Sequence, residues 1–457
     1  MHPRLEAVVK AYDVRGRSPE QLDASLARAL GAAFADEAGV AEGGQAVVGR
    51  DMRTSSPEIA AAISEGIRSR GAGVIDIGLA STDLLYCASG VLDLPGVMVT
   101  ASHNPPGDNG LKLCRAGARP IGIDTGLRTI AEAASGFLDQ PVEPIGPVDT
   151  LDFLPTYVET LLRIAPVKGR PLKVAIDAGN GMAGHTVPPV FEALREAGNE
   201  IDVVPLYLEL DGTFPNHEAN PLDHSTLVDL QAAVIENGAD LGLAFDGDAD
   251  RCFVIDELGD VVEPSAITGL IATRALADEP GATILYNVIT SKAVPEIVGE
   301  RGGNAVRTPV GHSLIKAEMA RTGAVFGGEH SGHFYFRDFY LADSGMLAAL
   351  HVMGALAEQD GSLSALMAEF SRYVASGEIN SRVDDLPAVI DRVAEAFVDQ
   401  EQDRLDGLTV DSGSEPGAWW FNVRPSNTEP LLRLNVEGAD LETTERIRDE
   451  VLAIIRG

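Results

Sequence analysis

Short apolar runs recur along the chain, and each ends in a polar, turn-forming tip. Ala46 to Gly49, Gly73 to Ile77 and Gly96 to Val99 form a first set, with a helix predicted from about Ser56 to Arg70. An alanine-rich stretch from about Pro19 to Ala38 predicts an earlier helix, with Pro19 near its first turn. After a Pro-rich acidic stretch, Gln140 to Pro155, the pattern returns. Lys173 to Ile176, Ile201 to Val204 and Leu241 to Phe245 read as strands, and about Pro188 to Ala197 as a helix. A third set follows at Ala282 to Val288, Ala305 to Thr308 and Ala324 to Phe326. Short apolar runs alternating with helices predict largely parallel, buried sheets. Ligands of such sheets sit beyond the carboxyl ends of the strands, where these tips lie. The uneven spacing excludes a solenoid.

The remainder reads differently. Leu386 to Phe397 and Leu441 to Ile455 are predicted helices, and Leu408 to Val410, Ala418 to Val423 and Leu431 to Val436 predicted strands. The fold expected is α/β: three similar αβ domains with mixed, largely parallel sheets, then a C-terminal α+β domain, arranged around a central cleft. The expected boundaries are 1–150, 151–256, 257–374 and 375–457.

Composition narrows the partners. The chain has 457 residues, 45% hydrophobic and 23% charged, too long for one core and ordinary for a soluble globular protein. Its 35 basic and 69 acidic residues leave a net charge of −34, which argues against nucleic acid or an anionic membrane. An anionic substrate then requires the few basic residues to be concentrated at the site, and they lie in the tips. The three cysteines, Cys87, Cys114 and Cys252, show neither zinc nor disulfide spacing. With no apolar signal core in MHPRLEAVVKAYDVRG and no run long enough to span a bilayer, a cytoplasmic protein is expected.

The tips carry the candidate chemistry. Asp246, Asp248 and Asp250 alternate with small residues after a buried strand, offering hard oxygen ligands suited to Mg²⁺ or Ca²⁺. The bland alternative is an Asp-rich turn without metal, but carboxylates this close repel unless they share a cation. Arg251 follows directly, poised for phosphate. In Thr100-Ala101-Ser102-His103-Asn104-Pro105, Ser102 reads either as a turn serine or as a phosphoryl acceptor, with His103 and Lys112 nearby. No GxSxG elbow accompanies it. Glu329-His330-Ser331-Gly332-His333 suits recognition of sugar hydroxyls; metal ligation by its histidines, or a satisfied turn, are the alternatives. The loop from Arg424 to Glu429, with Arg433 beyond it, offers the guanidinium, hydroxyls and amide that a non-transferring phosphate needs.

Together TASHNP with GLK, DGDADR, GEHSGH and RPSNTEP, in this order, resemble the α-D-phosphohexomutases over essentially the whole chain. Within them the SNTEP form resembles the phosphomannomutase/phosphoglucomutase group; phosphoglucosamine mutases usually have glycine where this chain has Asn427. The resemblance implies reversible phosphoryl transfer between C6 and C1 of a hexose phosphate, through a phosphoserine and a hexose 1,6-bisphosphate. Mannose 6-phosphate to mannose 1-phosphate is the expected reaction, with glucose phosphates a further substrate. Phosphoglucosamine mutase and a non-catalytic sugar-phosphate-binding protein are the rivals. The domains become phosphoserine, metal-binding, sugar-binding and phosphate-binding in chain order. Ser102 is implied as the phosphorylated residue, completing an Mg²⁺ site with Asp246, Asp248 and Asp250. Arg15, His103, Lys112 and Arg251 surround the reacting phosphate, with Lys112 and Arg15 assisting proton transfer and His333 close by. Tyr12, His312, Glu329 and Ser331 face the sugar. Arg424, Ser426, Asn427, Thr428 and Arg433 bind the distal phosphate. Some members have a lysine where this chain has Ile289, with Lys292 three residues on, and a glycine often stands where it has Ala249. A monomer or homodimer is expected.

Overall fold

A computed structural model describes residues 1–140, 142–413, 417–426 and 431–457, with the backbone alone of His312 and Ser313. They form two compact units, Met1–Val262 with Ser331–Leu366, and Glu263–His330 with Met367–Gly457.

The first unit holds two αβ sheets. One runs in the order Val14–Arg17, Asp108–Arg115, Gly96–Val99, Gln45–Arg50, Gly73–Leu79, Val148–Thr150, with Arg119–Pro120 alongside Asp108–Arg115. Gln45–Arg50 is parallel to both neighbours, so the tips after Arg50 and Val99 emerge side by side. The chain then turns back: Asp108–Arg115 lies antiparallel to Gly96–Val99, pairing Met98 with Lys112. The apolar runs do not predict this return strand. It packs closely at Gly110, where a Cβ would sit 2.3 Å from the Val14 carbonyl oxygen. The second sheet runs Val261–Val262, Cys252–Asp256, Leu241–Phe245, Leu172–Asp177, Ile201–Leu206, with the last three strands parallel. A hairpin, Phe334–Phe336 with Ala342–Asp343, leads into the almost wholly buried helix Gly345–Ala357.

Two helix starts differ from expectation. The first long helix spans Ala24–Glu37, because Asp23 caps it by accepting from the Leu26 N–H at 2.8 Å. Pro19 lies in the turn before it. Conversely Ala183–Glu196 starts ahead of Pro188 and Pro189, which lie inside the helix and each remove one ladder bond.

The second unit has the parallel sheet Asn304–Thr308, Thr283–Asn287, Phe326–Gly328. The last strand lies two residues beyond the predicted run. It takes in Gly328, where a Cβ would meet Thr268 Oγ1 at 2.2 Å, so only glycine can pass. The C-terminal part is an antiparallel sheet ordered Val374–Arg382, Leu431–Gly438, Trp419–Pro425, Leu408–Asp411, Glu401–Asp403. Helices Leu386–Ala396 and Leu441–Arg456 close its core around Val393, Phe421, Leu434 and Val451. Three αβ layers followed by an α+β layer match the fold class that the apolar runs predict. Among the described residues no helix is long and apolar enough to cross a membrane.

Candidate active site

Ser102 lies at the end of a fully buried strand, is 3% exposed, and adopts left-handed backbone with φ 52°. Non-glycine residues avoid that region, so something must hold it there. The Ser102 N–H donates to Thr100 Oγ1 at 2.9 Å. Arg53, entirely buried, donates from Nη2 to the carbonyls of Ser102 and Asn104, both at 2.7 Å, and from Nη1 to those of Pro105 at 2.8 Å and Asp108 at 3.0 Å. Asp51, also fully buried, lies 3.2 Å from Arg53 Nε. The loop is thus wrapped around one guanidinium.

The strand Leu241–Phe245 ends opposite this loop. A Cβ at Gly247 would be 2.4 Å from the Ser102 carbonyl oxygen, which makes glycine obligatory at this crossing. Ala249 takes the left-handed φ of 59° where the resemblance leads one to expect glycine; that costs of the order of 1–2 kcal/mol. Ser102 Oγ donates to Asp246 Oδ2 at 2.7 Å, lies 3.2 Å from His103 Nδ1, and accepts from Arg251 Nη2 at 3.2 Å. Arg251 also donates from Nε to Asp246 Oδ2 at 2.9 Å and touches the His103 ring. Lys112 Nζ bridges Asp248 Oδ2 at 2.7 Å and Asp250 Oδ2 at 2.5 Å. Arg15 donates to the Ala101 carbonyl and to Asn104 Oδ1, both at 2.7 Å, while Asp13 steadies its Nε.

The electrostatics follow from burial. Burial raises the Asp246 carboxyl pKa, and Arg251 only partly reverses that. Burial acts on Asp248 in the same direction, but the Lys112 ammonium and the Thr82 hydroxyl hold it well below the usual carboxylate range. Lys112 is desolvated, yet Asp248 and Asp250 carry its pKa well above the normal value. The adjacent Arg251 charge, with burial, pushes His103 well below the usual range, leaving a neutral imidazole.

Three carboxylates here face two cations. Their ligand oxygens lie within 4.8 Å of one another, and among the described residues Asp248 Oδ1 and Asp250 Oδ1 are buried without a hydrogen-bond partner. Hard, buried, under-satisfied oxygens are the donor set of a divalent cation. His333 joins the cluster by an isolated bridge to Arg251. Its Nδ1 lies 2.8 Å from Asp343 Oδ2 and 3.9 Å from Asp250 Oδ1.

The first unit therefore gathers Arg15, Ser102, His103, Lys112, Arg251, His333 and the three aspartates. Tyr12 precedes Asp13 in the same unit, and Ser331 opens the segment that reaches His333. In the second unit Glu329, 2% exposed, accepts from Asn287 Nδ2 and the Gly311 N–H, both at 3.2 Å. Arg424 donates to Glu378 Oε2 at 2.8 Å, Arg433 Nη1 lies 3.2 Å from Glu378 Oε1, and Arg433 Nη2 donates to Ser426 Oγ at 3.3 Å. Arg424 is 5% exposed and, among the described residues, its buried Nη1 has no partner. Asn427 and Thr428 lie outside the described residues, as does the His312 side chain. Lys292, three residues past Ile289, is turned to the C-terminal sheet, donating to Asp411 Oδ1 at 2.7 Å and to the Gly413 carbonyl at 2.6 Å.

Sequence reasoning missed Arg53, Asp51, Thr82, Asp343 and Glu378. Only the first two left a signal: an Asp and an Arg directly beyond a buried parallel strand, in the position the other tips occupy.

Family models for the phosphoglucomutase/phosphomannomutase α/β/α domains I, II and III match residues 6–136, 155–259 and 263–373, and the C-terminal domain model matches 378–454. The chain belongs to the phosphoglucomutase/phosphomannomutase family. It is 38% identical over 454 residues to a phosphomannomutase of Salmonella montevideo, covering 98% of each chain. It is 40% identical over 454 residues to phosphohexose mutases of Xanthomonas campestris pv. campestris (strain B100), covering 98% of this chain and 99% of that one. The structure of a phosphoglucomutase/phosphomannomutase family protein from Burkholderia thailandensis matches with TM-score 0.88 at 33% identity, over 100% of this chain and 98% of that one. The protein is thus a hexose-phosphate mutase, an isomerase, and the Ser102 cluster lies in the two regions matched by the domain I and II models, joined by His333 from the third.

Proposed function

We propose that Ser102 is the phosphoryl carrier of this mutase and that mannose phosphates are its main substrates. The observation that carries the reading is the Ser102 hydroxyl, fixed in strained backbone and shared by Asp246 at 2.7 Å and Arg251 at 3.2 Å. Phosphorylated Ser102 gives its phosphoryl group to the free hydroxyl of a hexose 6- or 1-phosphate. The bond from phosphorus to Ser102 Oγ breaks and the bond to the sugar oxygen forms; Ser102 Oγ leaves as the alkoxide beside the Arg251 guanidinium and is the nucleophile of the return step. The sugar hydroxyl proton passes to His333: in the tautomer that donates Nδ1–H to Asp343, Nε2 is the accepting atom. The hexose 1,6-bisphosphate reorients, its other phosphoryl group returns to Ser102, and the proton goes back to the sugar oxygen.

Asp246, Asp248 and Asp250, with an oxygen on Ser102, would hold Mg²⁺, which would supply positive charge to the transferring phosphoryl oxygens. Arg251 and Lys112 add fixed cations. We assign Lys112 and Arg15 to charge and loop positioning rather than to proton transfer, since carboxylates hold both. His103, neutral, orients the Ser102 hydroxyl.

Hexose recognition falls to Glu329, Ser331, His312 and Tyr12, and grip on the distal phosphate to Arg424, Ser426, Asn427, Thr428 and Arg433. Glu378 pre-aligns the two arginines. The functional partition that follows is phosphoserine, metal, sugar and phosphate domains at 1–150, 151–256, 257–374 and 375–457. Three free, buried cysteines fit a cytoplasmic enzyme.

The test is a coupled assay of mannose 1-phosphate against glucose 1-phosphate, each with catalytic hexose 1,6-bisphosphate. Bisphosphate-dependent formation of mannose 6-phosphate is expected. Net phosphate release without isomerisation would instead make the site a phosphatase.

A further inference from the structure

Behind the metal loop lies a carboxylate that the transfer chemistry does not touch. Asp83 is fully buried in the first turn of the helix Thr82–Leu92. Among the described residues, its carboxylate accepts hydrogen bonds from hydroxyls alone. Ser81 Oγ donates to Oδ1 at 2.5 Å, Tyr157 Oη to Oδ2 at 2.7 Å, and Ser344 Oγ to Oδ2 at 2.6 Å. Burial raises its pKa to about 7 against the pull of those three donors.

The three hydroxyls come from three helices. Ser81 is the N-cap of Thr82–Leu92, Ser344 is the N-cap of Gly345–Ala357, and Tyr157 lies in Leu154–Ile164. These helices belong to the regions matched by the domain I, III and II models respectively. Two helix N-termini thus converge on one buried carboxylate, the electrostatic arrangement their dipoles favour.

Two of these helices hand residues to the candidate site. Thr82, adjacent to Asp83, donates from Oγ1 to Asp248 Oδ2 at 2.5 Å and from its N–H to the Asp248 carbonyl at 3.0 Å. Asp343, adjacent to Ser344, holds the His333 ring. Gly345 presses on the metal loop itself: a Cβ there would lie 2.7 Å from the Arg251 carbonyl oxygen and 3.0 Å from that of Ala249.

We propose that Asp83 is a positioning residue for phosphoryl transfer, a single carboxylate that joins these three helices and thereby sets the metal loop and His333 relative to each other. It acts through Thr82 on one side and through Ser344, Asp343 and Gly345 on the other. The proposal rests on the reading of the three aspartates as the Mg²⁺ site and of His333 as the proton carrier. Its consequence is a separation of effects: disturbing Asp83 alters metal affinity and turnover, but not binding of the distal phosphate.

Asp83→Asn and the milder Tyr157→Phe test this. Calorimetric titration of the metal-free enzyme with Mg²⁺ should show affinity about 10-fold weaker in Asp83→Asn, in the range for partners of metal ligands. Turnover kcat should fall about 10- to 100-fold, while KM for the hexose phosphate stays within about twofold. Tyr157→Phe should shift both quantities in the same direction by less, and it answers the question if Asp83→Asn does not fold. Folded variants with unchanged Mg²⁺ affinity and kcat, differing only in thermal midpoint, would reduce Asp83 to a structural residue and overturn the proposal. Failure of the metal reading is recognised separately, because wild-type enzyme would then give no Mg²⁺ titration at all.

Discussion

Replacing Arg53 with methionine is expected to release the Ser102 loop. The side chain is wholly buried and donates to four loop carbonyls at 2.7–3.0 Å, with Asp51 at 3.2 Å and the Phe214 ring centre at 5.1 Å. Charged hydrogen bonds are worth about 1.5–3 kcal/mol each. A simple sum overstates the loss, because water enters and the loop relaxes. The firmer bound is the cost of stripping one member from a buried ion pair, about 3–5 kcal/mol, because Asp51 is then left alone. Hydrogen–deuterium exchange of the segment 96–112 measures the local opening free energy. Protection there should fall roughly 100- to 4,000-fold, at about 1.4 kcal/mol per factor of ten. Turnover should fall about 100-fold, the usual consequence of moving a reacting group by about 1 Å. Arg53→Lys should recover only part, because an ammonium lacks the planar fork that spans four carbonyls. Adding Asp51→Asn to Arg53→Met should restore part of the stability, since the stranded charge is removed. The reasoning is refuted if Arg53→Met keeps wild-type protection over this segment and turnover within about threefold.

Three further outcomes follow from the same geometry. Asp248→Asn removes one of the two carboxylates held by Lys112 and a proposed Mg²⁺ ligand oxygen, so Mg²⁺-dependent turnover should drop severely; an unaltered Mg²⁺ requirement would take Asp248 out of the proposed ligand set. The hydrogen bond with Asp177 raises the His217 pKa, with burial working against it. The stability this pair contributes is therefore complete below about pH 6.5 and is lost as pH rises through the raised folded-state value. Unfolding free energy of wild type minus His217→Gln, followed across neutral pH, should decline with that sign, and a flat difference would contradict the shift. Arg424→Ala should mainly raise KM for hexose phosphate, with Glu378→Gln moving KM the same way by less; an unchanged KM in both would separate this loop from phosphate binding.

Much of this architecture can be read from the chain because buried parallel strands leave a plain mark. Gly96–Val99 and Leu241–Phe245 have the limits their apolar runs predict, and the polar tips beyond them meet at Ser102 and Asp246. What stayed hidden is what depends on backbone atoms or distant partners. Arg53 binds carbonyls some fifty residues away, which no side-chain pattern records. Asp83 is one acid in an apolar helix until Tyr157 and Ser344 are folded against it. Asp23 outweighed Pro19 as a helix start because its side chain caps the first turn. Lys292 lies three residues past Ile289, and only the fold shows that Asp411 and the Gly413 carbonyl occupy its ammonium.

On the proposed mechanism one serine, Ser102, carries the phosphoryl group between both ends of the sugar. The enzyme should therefore be incubated with hexose 1,6-bisphosphate labelled in its phosphates, quenched, digested and mapped, and a second portion chased with unlabelled mannose 1-phosphate. The label is expected on the peptide containing Ser102, and it should leave that peptide for the hexose phosphates at the rate of turnover. Label on another residue, or full turnover by Ser102→Ala without any labelled protein, would contradict the account.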